Sequence, residues 1–156
     1  MVKHSGSRQP SNTPKNYCFA CGPDNPHGMH LKFVPQSVKQ KGDPAYTCRF
    51  SLSKRYTGPP GYCHGGIIAT ILDDAMGKIN KLRGVIAVTS QMTVDFLKPV
   101  PLNKPLHVNS REIRVRGRRH FALAEIKNQK DEVLARSRGV FVAIDPERMF
   151  GKSRKR

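Results

Sequence analysis

The stretch from residue 58 to residue 77 reads Gly58-Pro-Pro-Gly-Tyr-Cys-His-Gly-Gly-Ile-Ile-Ala-Thr-Ile-Leu-Asp-Asp-Ala-Met-Gly77. After its two central glycines, the apolar residues recur at helical spacing, and the pattern continues to Leu82. The stripe consists of Ile67, Ile68, Ile71, Leu72, Ala75, Met76, Ile79 and Leu82. It is so broad that we expect a helix over residues 66–82 to be wrapped by other elements rather than laid on a surface.

The segments around this helix alternate as half-buried strands do. The predicted strands are residues 45–53, 86–97, 105–116, 119–127 and 133–144, with turns at Gly117 and at residues 128–131. In the third strand the apolar phase shifts from Leu106 to Ile113, which predicts a β-bulge near residues 109–111. The pattern predicts an α+β fold, in which a curved antiparallel sheet wraps around one long helix.

The last predicted strand carries small residues on one face, at Ala135, Ser137 and Gly139. Such a face leaves room for an element packed close against it.

Charge is the unusual feature of the composition. The 156 residues carry 28 lysines and arginines against 11 acids, a formal charge of +17, which predicts an anionic partner such as nucleic acid, a membrane surface or a phosphorylated small molecule. Residues 1–15 hold +3 and are predicted to be disordered, and residues 147–156 hold +4 as a basic tail. That leaves +10 on one folded domain over residues 16–146. Without a long apolar run or an apolar leader, we expect a cytoplasmic protein.

Two features in the densest stretch could carry chemistry. Gly65 and Gly66 stand where the helix begins, so their N–H groups could form an oxyanion site or simply make a tight turn. Asp73 has small, neutral helical neighbours and no local cation. It could face solvent, or it could be a general base or nucleophile against a second subunit. Asp74 has Lys78 four residues on, which predicts an ordinary exposed ion pair.

The four cysteines are too few for a disulfide-stapled fold of this size. Cys18-x-x-Cys21 could bind zinc together with Cys63 and His64, or with the histidines at 27 and 30. The second pair lacks the usual spacing, so we predict packed thiols and no metal.

Four motifs in the chain belong together. They are residues 17–31 (Tyr-Cys-Phe-Ala-Cys-Gly-Pro-Asp-Asn-Pro-His-Gly-Met-His-Leu), residues 56–66, His64-Gly65-Gly66 followed by Leu72-Asp73, and Val88-Thr89 through Phe96-Leu-Lys-Pro99. This set resembles the hotdog-fold acyl-CoA thioesterases, of the phenylacetyl-CoA, 4-hydroxybenzoyl-CoA and THEM types. The resemblance covers residues 16–145 and implies hydrolysis of an acyl-CoA thioester to free acid and CoA, without a cofactor.

The resemblance implies catalytic roles by position. Asp73 matches the acid that activates water or attacks the thioester. Gly65 matches the glycine whose N–H polarises the thioester carbonyl, with His64 just before it. Thr89 matches the hydroxyl that positions the water or the acid.

Further positions are implied to bind substrate. They include Gly66 and Asp95, and strict alternation places Asp95 on the same strand face as Thr89. Five arginines crowd the predicted hairpin, at Arg111, Arg114, Arg116, Arg118 and Arg119. In the resembling enzymes this hairpin lies near the CoA nucleotide, and the arginine fork suits phosphate. We therefore expect Arg116, Arg118 and Arg119 to bind substrate, with His120 and Asp95 as weaker candidates for the same site. The alternative is a solvated basic turn.

The family also implies homodimers, often paired into homotetramers, with Asp73 acting across the interface. One departure keeps an alternative open. Some relatives carry Asn or Gln six or seven residues before the motif histidine, where this chain has Gly58 and Thr57. The alternative is a non-catalytic hotdog module that senses acyl-CoA, or docks on nucleic acid or acidic membrane through its basic surface and tails.

Overall fold

The computed structural model describes residues 14–36 and 45–151. The chain forms two compact units, Met1–His30 and Leu31–Arg156. The described part of the first unit is built from turns. The Asn16 N–H donates to Asp24 Oδ2 at 2.6 Å and the Gly22 N–H to the Cys18 carbonyl at 2.8 Å. A Cβ at Gly22 would lie 2.4 Å from Cys18 N, so only glycine fits this close turn.

The second unit is one antiparallel sheet with one long helix. Its elements are β1 (Val34–Pro35), β2 (Ala45–Phe50), a 3₁₀ turn (Lys54–Tyr56), α1 (Gly65–Leu82), β3 (Ala87–Phe96), β4 (Leu106–Arg116), β5 (Arg119–Asn128), β6 (Val133–Ala143) and α2 (Pro146–Phe150). The strand order is β1-β2-β4-β5-β6-β3, so β1 and β3 are the edges. This is the predicted α+β arrangement, a hotdog fold.

Helix α1 packs on what we call the inner face of the sheet. Its buried residues are Ile68, Ile71, Leu72, Ala75, Met76, Ile79 and Asn80, which is the predicted stripe except for its two ends and Asn80. The small residues of β6 let the helix approach. A Cβ at Gly139 would lie 2.9 Å from both Met76 Cε and Phe141 Cε2, so the predicted close packing is confirmed.

The predicted bulge near residues 109–111 is wrong. The β4–β5 register shifts between Glu112 and Arg114 instead. In β4 the inward-facing positions continue without interruption as far as Glu112. Two of them hold polar residues, which a search for apolar alternation does not recognise as inward-facing. Ser110 is buried and its Oγ donates to the Ala75 carbonyl at 2.7 Å, and Glu112 is 2% exposed. Ile113 therefore remains exposed.

The ends of the chain differ in part from the prediction. Helix α2 occupies the beginning of the predicted basic tail, with Asp145 Oδ1 accepting from the Glu147 N–H at 3.0 Å as its N-cap. The remaining tail, residues 152–156, and the predicted disordered residues 1–13 lie outside the described residues. Within the described ranges, no helix combines the length and apolarity that crossing a bilayer requires.

Candidate active site

The first turn of α1 presents backbone N–H groups at the sheet edge. His64 is the N-cap, in extended conformation, and its Nδ1 accepts from the Gly66 N–H at 2.9 Å. Because Nδ1 is an acceptor, a neutral His64 carries its proton on Nε2. The His64 carbonyl accepts from Ile67 N–H at 3.0 Å. Among the described residues, none accepts from the Gly65 N–H, which leaves it available to a ligand.

An aromatic ring borders this N–H group. A Cβ built on Gly65 would lie 3.5 Å from Phe96 Cε1, and Phe96 is 57% exposed at the end of β3. The ring therefore forms an apolar wall beside the helix start. Sequence reasoning missed this role for Phe96, because strand β3 meets the helix start only through the tertiary fold.

The missing loop amide has a steric explanation. A Cβ at Gly58 would lie 2.6 Å from His64 Cα, and the His64 N–H donates to the Tyr56 carbonyl at 2.9 Å. The loop thus runs directly against the helix cap, and an Asn at position 58 would require the backbone to move. Thr57 is exposed, and its Oγ1 donates to the Lys54 carbonyl.

Cys63 is not a nucleophile in this loop at neutral pH. Its side chain is buried, and burial raises the pKa of the thiol to about 11. Since the thiolate is the reactive form, the protonated thiol acts as a small core residue.

Asp73 meets Thr89 on the inner face of the sheet. The Thr89 Oγ1 donates to Asp73 Oδ1 at 2.7 Å. A bulge makes this contact possible, because the β3–β6 register shifts between Thr89 and Gln91. The extra residue, Ser90, reverses the alternation, so that Thr89 stands opposite the buried Phe141. The residues brought together are those predicted to act as base and positioning hydroxyl.

The same bulge overturns the predicted position of Asp95. Asp95 lies opposite Arg136, on the outer face of the sheet, with Arg136 Nε 3.7 Å from its Oδ2. Thr89 faces the helix, so the prediction that the two share a face is wrong. Without the bulge, alternation along β3 would have placed them together.

The neighbouring carboxylate, Asp74, pairs with Lys78 as predicted, with 3.7 Å between Nζ and Oδ2. The predicted exposure of this pair is wrong, since only 12% of the Lys78 side chain and 18% of the Asp74 side chain are exposed. The Lys78 ammonium also lies 5.7 Å from the centre of the Phe33 ring. This one cation therefore contacts both the Asp74 carboxylate and an aromatic ring.

The predicted arginine hairpin is present, with a two-residue turn in which Gly117 has φ 58°. This left-handed conformation favours glycine. A groove of about 690 Å³ beside the turn is lined by Arg114, Arg116, Arg118, Arg119, Phe121 and Val142. The three arginines predicted to bind substrate therefore lie together at one end of the sheet.

His120 does not join that groove. It is 6% exposed and points inward, with Nδ1 3.8 Å from Glu112 Oε2. Glu112 also accepts from Arg83 Nε at 3.3 Å, and Arg83 is the C-cap of α1. This ion pair ties the end of the helix to β4. Sequence reasoning missed it, although an acid at an inward position of an alternating strand was a signal.

The two catalytic candidates on α1 are separated by eight residues. At 1.5 Å rise per residue, Gly65 and Asp73 lie about 12 Å apart along the helix axis. The Gly65 N–H and the Asp73 carboxylate of one chain therefore cannot meet at a single carbonyl group.

Comparison with known proteins agrees with this fold. The family model described as the thioesterase superfamily matches residues 60–135. Acyl-coenzyme A thioesterase THEM4 of Rattus norvegicus is 30% identical over 119 residues, which is 76% of this chain and 51% of that protein. The chain thus spans about half the length of that relative.

Two solved structures show the same architecture. A crystallised thioesterase superfamily protein superimposes with a TM-score of 0.72 at 27% identity, over 81% of this chain and 60% of that chain. The smu.793 protein of Streptococcus mutans, solved with acetyl CoA, superimposes with a TM-score of 0.62 at 23% identity. The superposition covers 72% of this chain and 89% of that chain. Sequence and fold together show that the chain adopts the hotdog fold and is similar to the thioesterase superfamily over residues 60–135.

Proposed function

We propose that this protein is a hydrolase that cleaves an acyl-CoA thioester to free acid and CoA. The observation that carries the proposal is the 2.7 Å hydrogen bond from Thr89 Oγ1 to Asp73 Oδ1. Asp73 lies on α1, the helix whose first turn offers the Gly65 N–H. The relatives named as acyl-CoA thioesterases and the neighbour solved with acetyl CoA support it.

In the proposed reaction the carbonyl oxygen accepts a hydrogen bond from the Gly65 N–H, which opposes the charge that develops there. Asp73 takes a proton from water as the water oxygen attacks the carbonyl carbon, and the C–S bond breaks as that proton passes to the thiolate of CoA. In the alternative, Asp73 attacks the carbonyl carbon as a nucleophile and the C–S bond breaks to leave a mixed anhydride. Water then hydrolyses the anhydride, which releases the free acid, restores the carboxylate and supplies the proton to the thiolate. Thr89 holds the carboxylate in one orientation through its hydrogen bond.

The proposed site needs two chains, because Gly65 and Asp73 of one chain are about 12 Å apart. We infer a homodimer in which the β3 edges meet, so that Asp73 of one subunit serves a thioester bound at Gly65 of the other. The open β3 edge and the exposed Phe96 and Leu97 support this surface as the interface. Pairing of dimers into tetramers is a further family expectation.

The CoA nucleotide is proposed to bind the three arginines at the turn of the hairpin. Arg116, Arg118 and Arg119 line one groove, and no carboxylate in the described part of the chain pairs with them. Their planar guanidinium groups can each bind two phosphate oxygens. Gly66 would lie beside the bound thioester.

The test is release of thiol from a panel of acyl-CoA substrates by the wild type and by Asp73→Asn. The variant keeps the size of the side chain but removes the base, so we expect kcat to fall by about a hundredfold or more on every substrate that the wild type cleaves. The matched control is Asp74→Asn, which removes the adjacent carboxylate and should retain most activity. Full activity of Asp73→Asn would exclude the mechanism.

A further inference from the structure

The outer face of the sheet, opposite α1, carries two rows of side chains that run across four strands. One row is Arg111, Leu123, Arg138 and Thr93, and the next is Arg114, Phe121, Val140 and Gln91. They line a groove of about 520 Å³ together with Ile113. Its floor is apolar and its walls are arginines, amides and hydroxyls.

The arginines of this groove lack acidic partners. The outer-face acids are paired elsewhere, Asp95 with Arg136 at 3.7 Å and Glu125 with Lys127 at 3.6 Å. Within the described ranges, no carboxylate forms an ion pair with Arg111, Arg114 or Arg138. Three arginines that line one groove without acidic partners give it a positive potential, which attracts an anion from solution.

The charge argues against a second copy of this chain on this face. Two such faces packed about a two-fold axis would bring arginine rows together, and like charges in contact are destabilising. A flat lipid surface is also a poorer fit than a single chain, because the arginines line a groove that a chain can enter. The groove and its charge therefore favour a narrow, multiply charged anion.

One contact points to bases as well as phosphates. The Arg114 guanidinium stacks on the Phe121 ring, with Cζ 4.2 Å from the ring centre. A guanidinium plane and an aromatic ring on a β-sheet are surfaces on which unpaired nucleobases stack. The neighbouring Gln91 and Thr93 offer hydrogen bonds without adding negative charge.

We propose that this outer groove, formed by Arg111, Arg114, Phe121 and Arg138, binds single-stranded nucleic acid. The site lies on the opposite sheet face from Asp73 and Thr89. It shares Arg114 and Phe121 with the groove proposed for the CoA nucleotide, whereas Arg111 and Arg138 line this groove alone. It is a second binding activity that does not depend on the proposed hydrolysis.

The experiment measures binding of a fluorescent single-stranded oligonucleotide by anisotropy, at salt concentrations from 50 to 200 mM. The double variant Arg111→Ala/Arg138→Ala removes two phosphate contacts, each worth a slope of about 0.7 in log affinity against log salt. The wild-type slope should therefore be steeper by about 1.4, so that the wild type loses about sevenfold more affinity over this range. Phe121→Leu should weaken binding without changing the slope.

Arg49→Ala is the control. Arg49 also lies on the outer face, but on β2, where it pairs in register with His107 and lies outside the groove. This control variant should keep the wild-type slope, and the double variant should keep wild-type hydrolysis of acyl-CoA if that activity is present. The proposal is overturned if the double variant binds the oligonucleotide like the wild type. It is also overturned if poly-glutamate of equal charge, or vesicles of anionic phospholipid, compete as well as unlabelled oligonucleotide.

Discussion

The Thr89 hydroxyl is the residue-scale feature on which the proposed chemistry depends. It donates to a carboxylate sixteen residues away, at 2.7 Å. Hydrogen bonds to charged groups contribute about 1.5–3 kcal/mol, which corresponds to roughly ten- to hundredfold in rate when the bond orients a catalytic base. Thr89→Val keeps the shape of the side chain and removes the donor. We expect kcat/KM to fall by about this factor, measured by thiol release.

Thr89→Ser serves as the control for that prediction, because it restores the hydroxyl and should restore most of the activity. Thr89 is exposed, so both variants should melt near the wild-type temperature. A serine variant as impaired as the valine variant would show that the methyl group, and not the hydrogen bond, matters.

At the scale of the element, the first residue of α1 allows the proposed oxyanion donor to be removed without loss of the helix. Gly65 is the first residue of the helix, a position where proline is well tolerated because that N–H has no helical partner. The preceding His64 has ψ 136°, which suits a residue before proline. Gly65→Pro therefore deletes the proposed oxyanion donor while keeping the helix. We expect kcat to fall by about a hundred- to a thousandfold in the steady-state assay.

The control at this position is Gly65→Ala, which keeps the N–H. Its Cβ would be 3.5 Å from Phe96 Cε1, an ordinary contact, so activity should stay close to that of the wild type. Circular dichroism should show the same helix content in both variants. Wild-type kcat in Gly65→Pro would rule out this N–H as the oxyanion donor.

At the scale of the whole molecule, the proposed site is shared between subunits. Mixing Asp73→Asn with Gly65→Pro under conditions that exchange subunits tests this directly. In a mixed dimer, one site receives an intact Asp73 from one chain and an intact Gly65 from the other. Random exchange of equal amounts makes half the dimers mixed, each with one of two sites intact, so about a quarter of wild-type activity should return.

The mixture has a simple control, since each variant exchanged with itself should stay inactive. If both groups acted within one chain, every chain in the mixture would lack one of them. Activity would then stay at the level of the separate variants, even when light scattering shows that dimers have exchanged.

The sequence alone was sufficient for α1 and strands β2 to β6 and for most of the architecture, but it revealed neither β1 nor α2. The apolar period of α1 and the alternation in β2 and β3 depend on neighbours a few residues away, so local patterns reveal them. The motif around His64 and Asp73 was also readable, because its residues share one helix and its cap. The β4 bulge was misplaced because buried Ser110 and Glu112 are polar, and their partners, Ala75 and Arg83, lie on another element.

Only the tertiary structure decided which side chains meet. The bulge at Ser90 turns Thr89 toward Asp73 and leaves Asp95 outside, and its position depends on hydrogen bonding between β3 and β6. Likewise, Arg138 joins Arg111 in one groove only because the register of β5 places Leu123 opposite both of them. The physical reason is that residue periodicity is a property of one strand, whereas register and bulges are properties of a pair of strands.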